Sequence, residues 1–404
     1  MHARLIRVLA VPAAAIGTLV LAGATTVAPG PAHPAGPPPT AYVTNSGSNT
    51  VTAINTVTNM AYSPIKVGTS PGNILIAPDG MTAYVAGSAG VTPVSTITHK
   101  AGKLIAITYG VSNMAITPDG KTLYVFSFSW YTLRNTVIPI STATGRAGKP
   151  ITWQPGAGWG ASLLITPDGK TLYIASTLGT VTPVSTATNT VGKPITFGSQ
   201  AENGIVYMAI TPDGKTLYVF GSGPYQPGDT VTPISTATST AGKPIKVGQW
   251  PTAIVISPDG KTVYVASTGS GPTGGGDPQA LPTSGPATVT PISTATGRAG
   301  KPITLGPTAY GGLTMAITPN GRTVYVGDSR VMIPISAATG KAGKPIKLGW
   351  AAGPLAITAN GQTIYCLSAT STSLGVVIPI RIPAGTVLKA INVGKWPTAI
   401  AIAP

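Results

Sequence analysis

The chain has 404 residues, of which 51 are Gly and 40 are Pro, and only 8% are charged. Lys and Arg number 25 against 9 Asp and Glu, a formal charge of +16, with three His and one Cys. This inventory excludes an intramolecular disulfide, a histidine-based metal centre and a Ser-His-Asp triad, and the sign of the charge points to an anionic partner without bearing on fold.

The first elements in chain order are an export signal and a spacer. Arg4 and Arg7 precede the apolar or small stretch Val8 to Leu21, and Ala22-Gly23-Ala24 offers a small-x-small cleavage site. Residues 1–24 therefore read as a signal peptide. Pro12 and Gly17 interrupt the stretch, whose strongly apolar part is short for a membrane span of ~20 residues. No Cys follows it, so no lipid attachment is expected there. Residues 25–39 form a Pro-rich spacer with no core-forming residues. The expected location is secreted or cell-surface associated, with no transmembrane span after cleavage.

From Thr40 onward the sequence repeats. AITPDGKTLYV at 115–125 returns as LIAPDGMTAYV at 75–85, LITPDGKTLYI at 164–174, AITPDGKTLYV at 209–219, VISPDGKTVYV at 255–265, AITPNGRTVYV at 316–326 and AITANGQTIYC at 356–366. Each is an apolar strand, a turn suited to type I geometry with a left-handed Gly, and a second strand. A third strand follows, as in TVIPIST (136–142) and TVTPIST (230–236), then a turn such as TGRAGKP (144–150) and a fourth strand. Pro93, Pro139, Pro183, Pro233, Pro291, Pro334 and Pro379 fall inside third strands. Pro cannot donate to a ladder, so each is expected to mark a bulge or an unpaired position.

The repeat begins at Thr40-Ala41-Tyr42-Val43, which matches the second strand of the unit, and ends at PTAIAIAP (397–404), which matches the first. Neither is complete, but together they make one unit, as in a ring whose last strand completes its first blade. The expected fold is all-β, a closed β-propeller of four-stranded blades over 40–404. The second-strand tyrosines Tyr42, Tyr84, Tyr124, Tyr173, Tyr218, Tyr264, Tyr325 and Tyr365 indicate eight blades. Seven is the alternative, should the divergent second unit be left out. Cys366 replaces Val in the Tyr-Val pair and reads as a buried structural thiol.

Tyr42-Val43-Thr44-Asn45 and the PDGKTLYV hairpins resemble the YVTN β-propeller repeat proteins, and the resemblance spans residues 40–404. It implies a propeller, commonly secreted or surface-associated, and many such proteins have no assigned activity. The V-I-D-T third strand common in that family reads PIST or PVST here, so its recurring Asp is missing.

A propeller sorts its connections onto two faces. Turns between first and second strands, and between third and fourth, share a turn face; the remaining loops and blade-to-blade links share a loop face. Asp79, Asp119, Asp168, Asp213 and Asp259 read as hairpin-turn residues. Glu202, Asp229, Asp277 and Asp328 fall on the loop face. So do all six Trp and the long insertion 267–288. Aromatic residues with a polar handle suit sugars and peptides. The candidate ligand contacts are Trp130 and Tyr131, then Trp153, Trp159, Tyr310 and Trp350, for which packing between blades competes. The turn face is basic, and Lys149, Lys193, Lys243 and Lys301 are the candidate contacts to an anionic surface. No catalytic, metal or cofactor residue stands out, and no nucleic-acid reader motif occurs. These features point to a non-catalytic extracellular binding or scaffold protein, monomeric, with a glycan, cell-wall polymer or protein as partner. The alternative is a propeller-fold hydrolase or lactonase. Mass spectrometry of the exported protein is expected to find about 24 residues removed; an intact Met1 on a membrane-bound product contradicts that reading.

Overall fold

The computed structural model describes residues 38–128, 135–153, 161–198, 205–222, 228–269, 285–306, 312–369 and 374–404. These residues form strands and turns, without a helix, arranged as eight antiparallel blades in a ring. The divergent second unit is a full member, built from Asn73–Ile76, Thr82–Gly87, Gly90–Ser95 and Ile105–Ala106.

The first blade joins distant parts of the chain. Thr40–Asn45 pairs with Thr50–Asn55 on one side and with Pro397–Ala403 on the other, Tyr42 facing Ala401 and Val43 facing Ile400. The innermost strands touch one another all the way round, and Leu355–Ile357 of blade 8 meets Pro397–Ala403 again. Side chains alternate along each strand, so Tyr42 faces blade 2 while Val43 faces blade 8. Both blade faces are covered, which explains why the second strands read as unbroken apolar runs. Eight apolar clusters fill the described core, one at each junction. At the seam, Ala41, Val43 and Ile54 pack on Tyr365, Leu367, Val377 and Ile391. Cys366 is fully buried against blade 7, and burial pushes its thiol up to about 12.

The hairpin turn has a repeated hydrogen-bond circuit. Thr117 donates its hydroxyl to Asp119 Oδ1 at 2.6 Å, the same oxygen accepts the Lys121 N–H at 3.0 Å, and Gly120 takes φ 71°. Asn320 and Asn360 accept the same bonds in blades 7 and 8.

The third-strand prolines do not cause bulges. Each of the seven stands opposite a second-strand Tyr in unbroken register, as Pro233 opposite Tyr218. The missing N–H points outward, where the fourth strand is interrupted. In blade 5 the outer pairing stops after Ala241 and resumes at Ile245, while the Gly242 N–H donates to the Pro233 carbonyl at 2.7 Å. A Cβ on Gly242 would lie a tight 3.2 Å from the Pro233 ring; in blade 8 Leu388 makes the same bond, to the Pro379 carbonyl at 2.9 Å.

The buried tyrosines also tie blade to blade. Tyr124 directs its O–H at the Thr186 carbonyl (3.2 Å) and Asn189 Oδ1 (2.9 Å) of blade 4. Across the seam Tyr365 does the same to Thr56 (3.1 Å) and Asn59 (2.6 Å). Asn59 and Asn189 have φ 58° and 57°, a conformation Asn tolerates.

Deleting 397–404 removes an inner strand that buries Ala399, Ile400 and Ala403 and uncovers the edge of Thr40–Asn45. Buried aliphatics of the Ile400 kind contribute roughly 1.5–3 kcal/mol each. Calorimetry is expected to show loss of the cooperative transition; an unchanged Tm contradicts closure by this strand.

Candidate functional site

The two faces are distinct in the structure. Thr142 donates its hydroxyl to the Gly120 carbonyl at 2.7 Å, and Thr186, Thr236 and Thr294 repeat this bond to Gly169, Gly214 and Gly260. Each such bond ties a hairpin turn to the outer turn of its own blade, which places both on the turn face.

On the loop face the aromatic residues divide. Trp153 is buried and packs against Phe126 with ring centroids 6.2 Å apart, so this candidate contact is an element of the junction between blades 3 and 4. Trp250 is buried as well. Trp350 and Trp396 are 38% and 60% exposed, and Tyr109 is 51% exposed. Trp396 immediately precedes the innermost strand of blade 1 and covers Gly47, where a Cβ would stand 2.9 Å from its ring. Trp130, Tyr131, Trp159 and Tyr310 lie outside the described residues; the described strands on either side of each end on the loop face.

The described acidic residues do not assemble. The carboxylates of Asp119, Asp168, Asp213 and Asp259 are held low, first by the hydroxyl of Thr117, Thr166, Thr211 or Ser257 and then by a backbone N–H. On the loop face Asp229 of blade 5 pairs with Lys246 at 3.7 Å. Asp328 of blade 7 accepts the Ser329 hydroxyl at 2.9 Å, and burial pushes its carboxyl up. Blade 6 separates these two, while Glu202 and Asp277 lie outside the described residues. No group of three or more His, Cys, Asp or Glu that could hold a metal occurs among the described residues.

Sequence reasoning missed a set of buried polar groups at the loop-face ends of the blades. Both side-chain amide atoms of Asn73, Trp250 Nε1, and the hydroxyls of Ser267, Thr288 and Thr290 are buried without a protein partner. In the sequence Trp250 reads as a loop-face aromatic and Ser267 and Thr288 as ends of the insertion 267–288, while nothing in the alternation of apolar and polar residues separates Asn73 and Thr290 from neighbours such as Thr92, whose hydroxyl accepts the Gly68 N–H at 3.1 Å.

On the turn face Lys149, Lys193, Lys243 and Lys301 are all exposed, in the outer turns of blades 3 to 6. A groove between blades 5 and 6 is lined by Tyr218, Pro233, Thr294 and Gly297. It opens because Gly297 stands where Asn189 meets the tyrosine of the preceding blade. His99 fills that position in blade 2, with its Nδ1 2.9 Å from Tyr42 Oη and its ring 4.4 Å from the Tyr62 ring. It is the one histidine among the described residues and belongs to a junction.

No protein-family model matches the chain, and no curated protein matches it in sequence. Solved structures share the fold. Dihydro-heme d1 dehydrogenase NirN, in complex with DHE, superposes with a TM-score of 0.68 at 15% identity over 92% of this chain and 76% of its own. Hydrazine synthase of Kuenenia stuttgartiensis gives 0.57 at 20% identity over 78% and 96%. A protein of unknown function from Desulfotomaculum acetoxidans gives 0.53 at 16% identity over 76% and 94%. At such identities the likeness speaks for the propeller alone.

Burial lowers the His99 pKa from 6.5. The unfolded chain therefore takes up its proton first as pH falls, so this contribution to stability is complete above about 6.5 and declines below it. The turn carboxylates act in the same direction in a separate window, below about 4. In His99→Asn, which copies Asn59 and Asn189, Tm is expected to be flatter than in the parent between pH 7 and 5. Equal slopes by calorimetry contradict a role for His99.

Proposed function

We propose that this chain is a secreted or surface-held propeller of the YVTN repeat type that binds a glycan or protein ligand on its loop face without transforming it. Residues 1–24 serve as the export signal, 25–39 as the spacer and 40–404 as the ring. The observation that carries this reading is the exposure of Trp350, Trp396 and Tyr109 on the loop face, whereas the other described tryptophans, Trp153 and Trp250, are buried. A flat ring with one polar edge offers contact area to a sugar face or a peptide at small entropic cost. Trp130 and Tyr131 belong to the same proposal through their place in the third-blade loop.

A hydrolase or lactonase reading rests on Asp328, whose raised pKa suits a general acid. Hydrolysis of a glycoside needs a second carboxylate roughly 5–10 Å away. Asp229 belongs to a blade two steps round the ring and is engaged by Lys246. Binding is therefore the better supported function.

Glycan-array and cell-wall pull-down screening of the exported protein tests the proposal. Once a ligand is found, the Trp130→Ala/Tyr131→Ala pair and Trp350→Ala are each expected to weaken it by about 1–2 kcal/mol with Tm unchanged. Full affinity in all of these variants places the site elsewhere. A turnover that disappears in Asp328→Asn replaces the binding reading with the catalytic one.

A further inference from the structure

The turn face combines exposed cations with one exposed apolar cluster. Over blades 3 to 7 its outer turns carry exposed cations, among them Arg146, Lys193, Lys243, Arg298 and Lys341, with no carboxylate within salt-bridge distance among the described residues. The hairpin-turn lysines differ, each lying 3.6–3.9 Å from its own turn Asp, as Lys170 does from Asp168. The unneutralised charge is therefore concentrated in the outer turns.

Blade 2 keeps the outer-turn cations as Lys100 and Lys103, but blades 1 and 2 add exposed apolar side chains. Met60 stands where Arg146, Arg298 and Lys341 stand, and Met81 stands where Lys121, Lys170 and Lys215 stand. Val57 and Ile97 replace the Ala of later blades. These four side chains are 69%, 51%, 72% and 55% exposed, in the order Met60, Met81, Val57, Ile97. They form one region. The Thr96 N–H, next to Ile97, donates to the Met81 carbonyl at 3.0 Å. Tyr62, two residues from Met60, packs against His99, two residues from Ile97, with the rings tilted by 33°. Thr56, next to Val57, donates its hydroxyl to the Pro39 carbonyl at 2.7 Å. The last contact places Pro39 beside this arc.

We propose that the turn face is a peripheral docking surface for an anionic lipid bilayer. Met60, Met81, Val57 and Ile97 enter the boundary between headgroups and acyl chains, and the outer-turn cations of blades 3 to 7 lie over the headgroups. The apolar arc decides between a bilayer and a soluble polyanion such as free wall polymer. A polyanion is served best by cations at all repeat positions, and it offers methionine and isoleucine nothing. A bilayer interface rewards an apolar cluster flanked by Lys and Arg, through buried apolar area and through attraction to acidic headgroups together. This inference is independent of the loop-face reading and leaves that face turned to solution.

The test uses the exported protein and flotation with vesicles of phosphatidylcholine, alone or mixed with phosphatidylglycerol. One variant copies the later blades, Val57→Ala/Met60→Arg/Met81→Lys/Ile97→Ala. It adds two positive charges at positions where the fold already carries them, so binding by charge alone must strengthen. Docking by the apolar arc predicts the reverse: the parent floats with the acidic vesicles and keeps part of that binding in high salt, and the variant loses the salt-resistant part by roughly tenfold or more. Lys193→Glu/Lys243→Glu/Lys301→Glu is expected to lose binding at low salt. A four-site variant that floats as well as the parent or better overturns the proposal in favour of a soluble polyanion. Equal flotation with both vesicle types overturns it too. So does a parent that sediments as a dimer while the variant sediments as a monomer, since the arc then belongs to a second copy of the chain.

Discussion

The pairing of Thr40–Asn45 with Pro397–Ala403 is the contact on which the rest of the ring depends. A blade buries both faces only when it has a neighbour on each side, and eight blades satisfy that condition only when the eighth meets the first. The seam is built from the same materials as every other junction. Val43 and Ile54 pack on Tyr365 and Leu367 as their counterparts do elsewhere, and Tyr365 reaches Asn59 across it. With a single, buried cysteine, the chain closes its circle by burial, strand pairing and hydrogen bonds, without a disulfide.

Repetition makes the fold legible in the sequence. The Thr-Pro-Asp-Gly turn, the Tyr-Val pair and the split first unit each specify a local geometry, and together they specify the ring. The prolines were harder to interpret, because the sequence says that a donor is missing and not which side it would have faced. In the structure the gap faces outward, where the outer strand steps round the ring of the proline at a glycine in blades 2 to 7 and at Leu388 in blade 8. The tyrosine hydroxyls were equally opaque. Their partners lie tens of residues away on the next blade, and a left-handed Asn or His in an outer turn carries no mark of the bond it accepts.

Function is less legible for the same reason. Repeated positions announce the scaffold, and chemistry resides where the repeat fails. Trp153 and Trp350 look alike as departures from the repeat, yet one is a junction element and the other is exposed. The apolar arc of the turn face is a departure of another kind. It becomes visible only when Met60 and Met81 are aligned with the cations of later blades and then located on neighbouring blades. Two faces with different departures give the ring two separate vocabularies, one aromatic and one amphipathic.

The broken outer strand has a further consequence. A protein that is 43% hydrophobic and only 8% charged, built from strands throughout its described residues, has every compositional reason to add itself to its neighbours. Aggregation of that kind needs a run of free backbone donors and acceptors long enough to template another strand. Here the outer rim offers two-residue pieces such as Thr240–Ala241 and Ile245–Lys246, separated by a detour and edged by Lys66, Lys246 and Lys347. The proline that shortens the ladder thus acts between molecules as well as within one. It shortens the rim on which a second ring could add a strand, although Ile303–Gly306 and Ile391–Lys395 remain longer.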